Sequence, residues 1–186
     1  MRIFSFRPAL TVRGRKFKGL RGWAGKPFHP PLTDFPVAAY LLAAAFDVVS
    51  FAGQQNDWAR DFYRAGTFVF VGGAAVSVLA ALTGFWDWLR STTKGTQARR
   101  TVNTHAWIMV TVTVLALADI VVRLAGYGDA HAGAGVLVLS LLVAGLVSVG
   151  AAYGGTLVYD YGFNVETSGD HPVWHVNEKD VLPGDH

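Results

Sequence analysis

The chain has 186 residues, 52% of them apolar and only 16% charged, with 21 glycines, six tryptophans and no cysteine. Soluble domains carry roughly 25% charged residues, so this composition lies well below them and argues against disorder for most of the chain. The lack of cysteine excludes disulfides, thiolate zinc sites, cysteine nucleophiles and cysteine-held iron–sulfur clusters.

Residues 1–26 form a basic arm. It contains Arg2, Arg7, Arg13, Arg15, Lys16, Lys18, Arg21 and Lys26, eight of the 16 basic residues, and no acidic one. A nucleic-acid tail has this charge, but beside an apolar span the partners to expect are anionic lipid head groups, and no nucleic acid. The arm is not a secretory signal, because a full-length span follows it without a small-residue cleavage site.

Four apolar stretches follow, at residues 35–51, 65–89, 105–124 and 133–158. As helices they reach roughly 26 to 39 Å at about 1.5 Å per residue, enough for a hydrocarbon layer of about 30 Å. A soluble four-helix bundle would need a polar stripe on each helix, and the fourth stretch carries no charge at all. The expected fold is all-α: an antiparallel bundle of four transmembrane helices in residues 27–165, followed by a polar tail, 166–186.

Each boundary has its own signal. Pro30 and Pro31 predict non-helical backbone before the first span, with Thr33 or Asp34 capping the helix that Pro36 opens. Gly53 ends that span, Gly95 breaks the next connection, and Gly126 and Gly128 end the third span. Aromatic residues such as Trp86, Trp88, Trp107 and Tyr159 at one end, and Phe51, Trp58 and Tyr127 at the other, suit the two head-group levels. Small residues let helices approach in lipid: Gly72, Gly73, Ala74 and Ala75 in the second span, Gly150 and Gly154 in the fourth.

If the spans alternate, the arm, the Arg90–Arg100 connection and the tail share one side, with Arg90, Lys94, Arg99, Arg100 and Lys179 added to the arm's charge. Basic short loops stay cytoplasmic, so both termini are expected inside the cell. The order of polar residues also hints at a repeat of two hairpins, with His29 and Asp47 in the first answered by His105 and Asp119 in the second.

Charge at bilayer depth costs at least about 2.5 kcal/mol per group, so each such residue needs a reason. An outer layer contains Asp47, Asp119, Arg123 and His131, with Arg123 at the i,i+4 position from Asp119 that suits an ion pair. Two readings stand: a salt bridge joining spans one and three, or a proton relay, ion relay or quinone pocket. An inner layer contains His29, Asp34, Asp87, Arg99, Arg100 and His105. His29 and His105 open odd-numbered helices on the same side and have the donor type for a b-type haem or another metal. Asp87 would then orient one ring and Arg100 support the site. The alternative is an interfacial role, with His29 at the head groups and bonded to backbone or lipid phosphate. His171 and His175 have metal-pair spacing, but Pro172 opposes the helix that would align them. No GxSxG, Walker loop or HExxH occurs, so the familiar hydrolase and phosphate-binding signatures are absent.

The run HPPLTDFP, then AAFD, ALTGFWDW, RRTVNTHA and GGTLVYDYG, resembles a bacterial membrane family catalogued as domain of unknown function 2231. The likeness covers about residues 25–165 and rests on His29–Pro30, Phe35–Pro36, Asp47, Asp87, His105 and the run from Gly154 to Tyr159. The family's fuller opening has a second His-Pro pair where this chain has Lys26–Pro27. The resemblance implies a four-helix protein of the bacterial inner (plasma) membrane. Some relatives are joined to Rieske-type or cytochrome modules, which implies electron transfer and respiratory-chain partners. The residues lead to a multi-pass, non-hydrolytic membrane protein, and the resemblance adds the expectation of an accessory to a respiratory chain, with haem or quinone at the His29–His105 level. The rivals are a cofactor-free scaffold and a small ion or proton transporter using Asp47, Asp119 and Arg123.

Overall fold

The computed structural model describes residues 28–90 and 94–162. The basic arm and the tail with His171, His175 and Lys179 lie outside them. The described residues form four helices: α1 His29–Gly53, α2 Asp57–Arg90, α3 Gln97–Ala125 and α4 Ala134–Tyr159. All four are long and apolar enough to cross a membrane.

Three helix starts differ from the sequence expectation. α1 begins at His29, so Pro30 and Pro31 lie inside its first turn. The first N–H groups of a helix have no intrahelical partner, and proline there forfeits nothing. Thr33 is not a cap; its hydroxyl donates back to the Pro30 carbonyl at 2.7 Å. α2 starts at Asp57, eight residues ahead of the apolar run, and takes in Trp58, Arg60, Asp61 and Arg64. α3 starts at Gln97, so Arg99 and Arg100 stand in its first turn instead of a loop. Its cap is Thr96, whose side chain accepts from the Arg99 N–H at 3.2 Å. Hydropathy marks the part of a helix that meets lipid; it says nothing of helical turns that continue into the polar layer.

The helices pack in ring order. α1 lies against α2 and α3 against α4, while α1–α4 and α2–α3 contacts close the ring. Backbones on the diagonals, α1 with α3 and α2 with α4, do not approach one another. An antiparallel four-helix bundle has this arrangement when short connections join its neighbours. Gln54 takes φ +47° after α1, and Gly95 takes φ +82° between α2 and α3, where a glycine avoids the left-handed penalty.

Burial runs opposite to that of a soluble bundle. The exterior is apolar, with Phe35, Phe68, Leu82, Val114 and Val121 all exposed. The core combines Tyr40, Phe70, Val112, Val143 and Val147 with buried Asp47, Ser50, Thr67, Asp119, Arg123 and Ser140. When lipid is the solvent, leucine and valine gain nothing by hiding, and polar groups must find protein partners. Glycine brings the first two helices close. A Cβ on Gly73 would stand 2.5 Å from the Ala39 Cβ.

The two hairpins repeat each other's contacts, in a register that corrects the sequence expectation. His29 bonds the carbonyl of Ala80 on α2, and His105 bonds the carbonyl of Gly150 on α4. His29 and Asp47 are separated by as many residues as His105 and Arg123. The counterpart of Asp47 is therefore Arg123, not Asp119. Buried positions follow the same register: Pro36 with Val112, Tyr40 with Ala116, Gly73 with Val143, and Ala80 with Gly150. The axis relating the hairpins runs along the bundle.

Candidate functional site

The diagonal helices α1 and α3, whose backbones stay apart, are joined by polar side chains at two levels. Along α1 these levels, at His29 and Asp47, are about 27 Å apart, nearly the thickness of a hydrocarbon layer.

At the first level the rings of His29 and His105 face across the bundle, with centroids 6.4 Å apart and planes at 79°. Each ring is held by its own hairpin. His29 Nδ1 lies 2.9 Å from the Ala80 oxygen, and His105 Nδ1 lies 2.9 Å from the Gly150 oxygen. A carbonyl only accepts, so each Nδ1 carries the hydrogen, and a ring held this way in its neutral form keeps its bare lone pair on Nε2. His29 Nε2 also lies close to α2, 3.1 Å from where a Cβ on Gly84 would stand. The Thr83 hydroxyl adds a bond to the Ala80 carbonyl at 3.0 Å.

Glycine makes room for one of these seats. A Cβ on Gly84 would lie 2.6 Å from His29 Cε1 and 2.9 Å from its Nδ1, inside any allowed contact. On Gly154, the equivalent position, it would lie 3.5 Å from His105 Cε1, an ordinary contact. Replacing a helical glycine by alanine gains roughly 0.5–1 kcal/mol of backbone entropy and propensity. Gly154→Ala is therefore expected to raise stability by about 0.5 kcal/mol. Gly84→Ala should lower it by about 1 kcal/mol, because the ring leaves its carbonyl. Reversible unfolding in mixed detergent micelles measures both, and equal effects would show that the two seats do not differ.

Of the supporting residues expected here, Asp87 is buried on α2, one turn beyond Thr83. The acceptors that orient the rings at Nδ1 are backbone carbonyls. Arg100 is exposed and its guanidinium bonds Gln97 on its own helix. Arg99 Nη1 donates to the Trp88 carbonyl at 2.5 Å, and Trp88 Nε1 donates to Asn103 at 2.7 Å. Among the described residues, no group of three or more His, Cys, Asp or Glu side chains is arranged to hold a metal.

At the second level Asp47, Asp119 and Arg123 have no solvent-accessible surface. Arg123 Nη1 donates to Asp47 Oδ1 at 2.9 Å, and Nη2 donates to Asp47 Oδ2, a two-pronged pairing across the diagonal. Its Nε donates to Asp119 Oδ2 at 3.0 Å. The guanidinium carbon lies 4.6 Å from the centre of the Phe70 ring, and the Tyr63 hydroxyl donates to the Arg123 carbonyl at 3.1 Å. One arginine thus ties α1, α2 and α3 together. A Cβ on Gly66 would lie 3.1 Å from Asp47 Oδ1. His131 is not in the ion cluster's bonding; its ring lies 6.4 Å from Phe51 in the turn before α4.

Sequence reasoning found both layers but missed most of their support. Ser50 donates to the Ala59 carbonyl at 2.7 Å and accepts from the Ala132 N–H at 2.9 Å, joining α1, α2 and the α3–α4 turn. Tyr63, Phe70 and the glycine seat were also missed. The equal separations from His29 to Asp47 and from His105 to Arg123 were the available signal.

No curated protein and no solved structure matches the chain. The family model described as "Predicted membrane protein (DUF2231)" matches residues 25–167. That span takes in all four helices and both polar levels, and the chain belongs to this family of membrane proteins.

Proposed function

We propose that the protein is a membrane-embedded one-electron carrier whose His29 and His105 hold a b-type haem, serving as an accessory of a respiratory chain in the bacterial plasma membrane. The observation that carries this reading is the 6.4 Å separation of the two rings. With metal–nitrogen bonds of about 2.0–2.1 Å and about 1.2 Å from nitrogen to ring centre, two imidazoles trans on one metal have centres about 6.4 Å apart. On a tetrahedral metal they would be about 5.2 Å apart. His29 and His105 would hold the metal, and a porphyrin would supply its other ligands, since among the described residues no group of three or more His, Cys, Asp or Glu side chains is arranged to do so.

Bound there, a haem supplies a one-electron iron couple. The chain's own residues do the rest. The Ala80 and Gly150 carbonyls fix the tautomer of each ring and make its Nε2 a stronger donor. Gly84 gives His29 room to reach its carbonyl. Asp87 and Arg100 supply opposite charges on the α2 and α3 turns nearest this level. Arg90, Lys94, Arg99 and Arg100 flank this end, which supports a cytoplasmic placement for it and for both termini. Lipid-soluble quinone and respiratory subunits are the partners this reading names, with anionic lipid head groups at the basic arm.

The test is a reduced-minus-oxidised spectrum of protein purified in detergent from haem-replete cells. A Soret band is expected, and His29→Ala and His105→Ala should each abolish it while the helical circular dichroism persists. A folded wild-type chain that takes up no haem, or one whose band survives both substitutions, overturns the reading. A cofactor-free scaffold has support of its own in the Arg123 cluster, which joins three helices without needing a ligand.

A further inference from the structure

The Arg123 cluster is unbalanced in charge. Two carboxylates share one guanidinium, and all three groups are fully buried. Asp47 is satisfied at both oxygens by the guanidinium fork. Asp119 is satisfied only at Oδ2, and its buried Oδ1 has no hydrogen-bond partner among the described residues. A carboxylate oxygen without a donor, in a cluster with a surplus negative charge, is strongly unfavourable away from water.

The neighbouring ionisable groups do not supply the missing donor. From α2, the Tyr63 hydroxyl donates to the Arg123 carbonyl, and the Arg64 guanidinium lies over the Tyr127 ring at 5.5 Å. In the α3–α4 turn, the Asp129 carboxylate lies 2.7 Å from where a Cβ on Gly126 would stand, and His131 lies against Phe51. A metal cation would need several ligands converging on it, and among the described residues no group of three or more His, Cys, Asp or Glu side chains is arranged to hold one. A proton needs one.

We infer that this cluster is a proton-binding site, with one exchangeable proton on Asp119 Oδ1, so that Asp47 and Arg123 form the ion pair and Asp119 is its neutral partner. The fork decides between the two acids, because protonating Asp47 would break a two-pronged bond and protonating Asp119 at Oδ1 breaks none. The inference is independent of the haem reading, since the two levels share no residue.

Infrared spectroscopy of the full chain in liposomes at neutral pH tests it. A protonated-carboxyl C=O band that shifts in D2O is expected, absent from Asp119→Asn and retained in Asp34→Asn, whose parent side chain is exposed. Thermal unfolding gives a second readout. Asp119→Asn mimics the neutral acid and should melt within a few degrees of the wild type, whereas Asp47→Asn should melt far lower. The proposal is overturned if the wild type lacks the band, or if Asp119→Asn costs as much as Asp47→Asn. A melting temperature raised specifically by sodium, with that rise lost in Asp119→Asn, would also overturn it by assigning the site to a cation.

Discussion

Arg123→Met is expected to lower the unfolding free energy by about 3–5 kcal/mol, the cost of leaving a buried carboxylate without its partner. The side chain is fully buried and bonds acids on two helices, with Phe70 beneath it. Methionine fills similar volume, so little of the loss comes from packing. The arithmetic then makes a sharper prediction. Replacing Asp47 and Asp119 by leucine in the same chain removes the acids that Arg123 had bonded, and an all-apolar core of similar volume is often as stable as the ion cluster it replaces. The triple variant should recover most of the loss, and strong non-additivity should appear in the cycle between Arg123 and Asp47. If Arg123→Met alone unfolds no more easily than the wild type, the cluster is not what joins α1 to α3.

Gly73→Leu should cost about 3 kcal/mol, at the upper end of overpacking penalties. Even a Cβ there would stand 2.5 Å from the Ala39 Cβ, and the Pro36 Cα lies 3.7 Å away. Neither atom belongs to a flexible side chain that can swing aside, so α1 and α2 must separate. Gly72→Leu is the control. That position meets nothing within 4 Å and faces outward, where leucine is at home in lipid. Unfolding in mixed micelles should rank Gly73→Leu far below Gly72→Leu, and equal stability would mean that the α1–α2 packing is not close.

Much of the architecture was legible because lipid demands so much of a sequence. A stretch such as residues 133–158, with no charge, has one stable environment as a helix, and four such stretches with short connections leave little choice but a bundle. The helix ends were less legible. Asp57 to Arg64 reads as polar connection, yet those residues continue α2, because a helix that leaves the hydrocarbon keeps its backbone bonds. Pro30 and Pro31 read as a barrier and proved to be an opening turn.

The polar residues divide along the same line. The Asp119–Arg123 pair was readable, since four residues along a helix is one turn, and it is present at 3.0 Å. That Arg123 also reaches Asp47, and that it is Asp47's counterpart in the repeat, was not readable from the order of acids alone. Matching acid with acid paired Asp47 with Asp119; matching positions pairs it with Arg123.

The sequence by itself determined the solvent, the number of crossings and the two depths at which polar groups must be accommodated, because burial of charge and helical rise are properties of single segments. Only the tertiary structure decided that α1 and α3 stand on a diagonal with His29 opposite His105 and Asp47 opposite Arg123. It also decided that carbonyls of Ala80 and Gly150 hold the rings. Spacing along one helix fixes height and face, but which face meets which is set by how closely the helices can approach, and glycines such as Gly73 and Gly84 act only once both partners are in place.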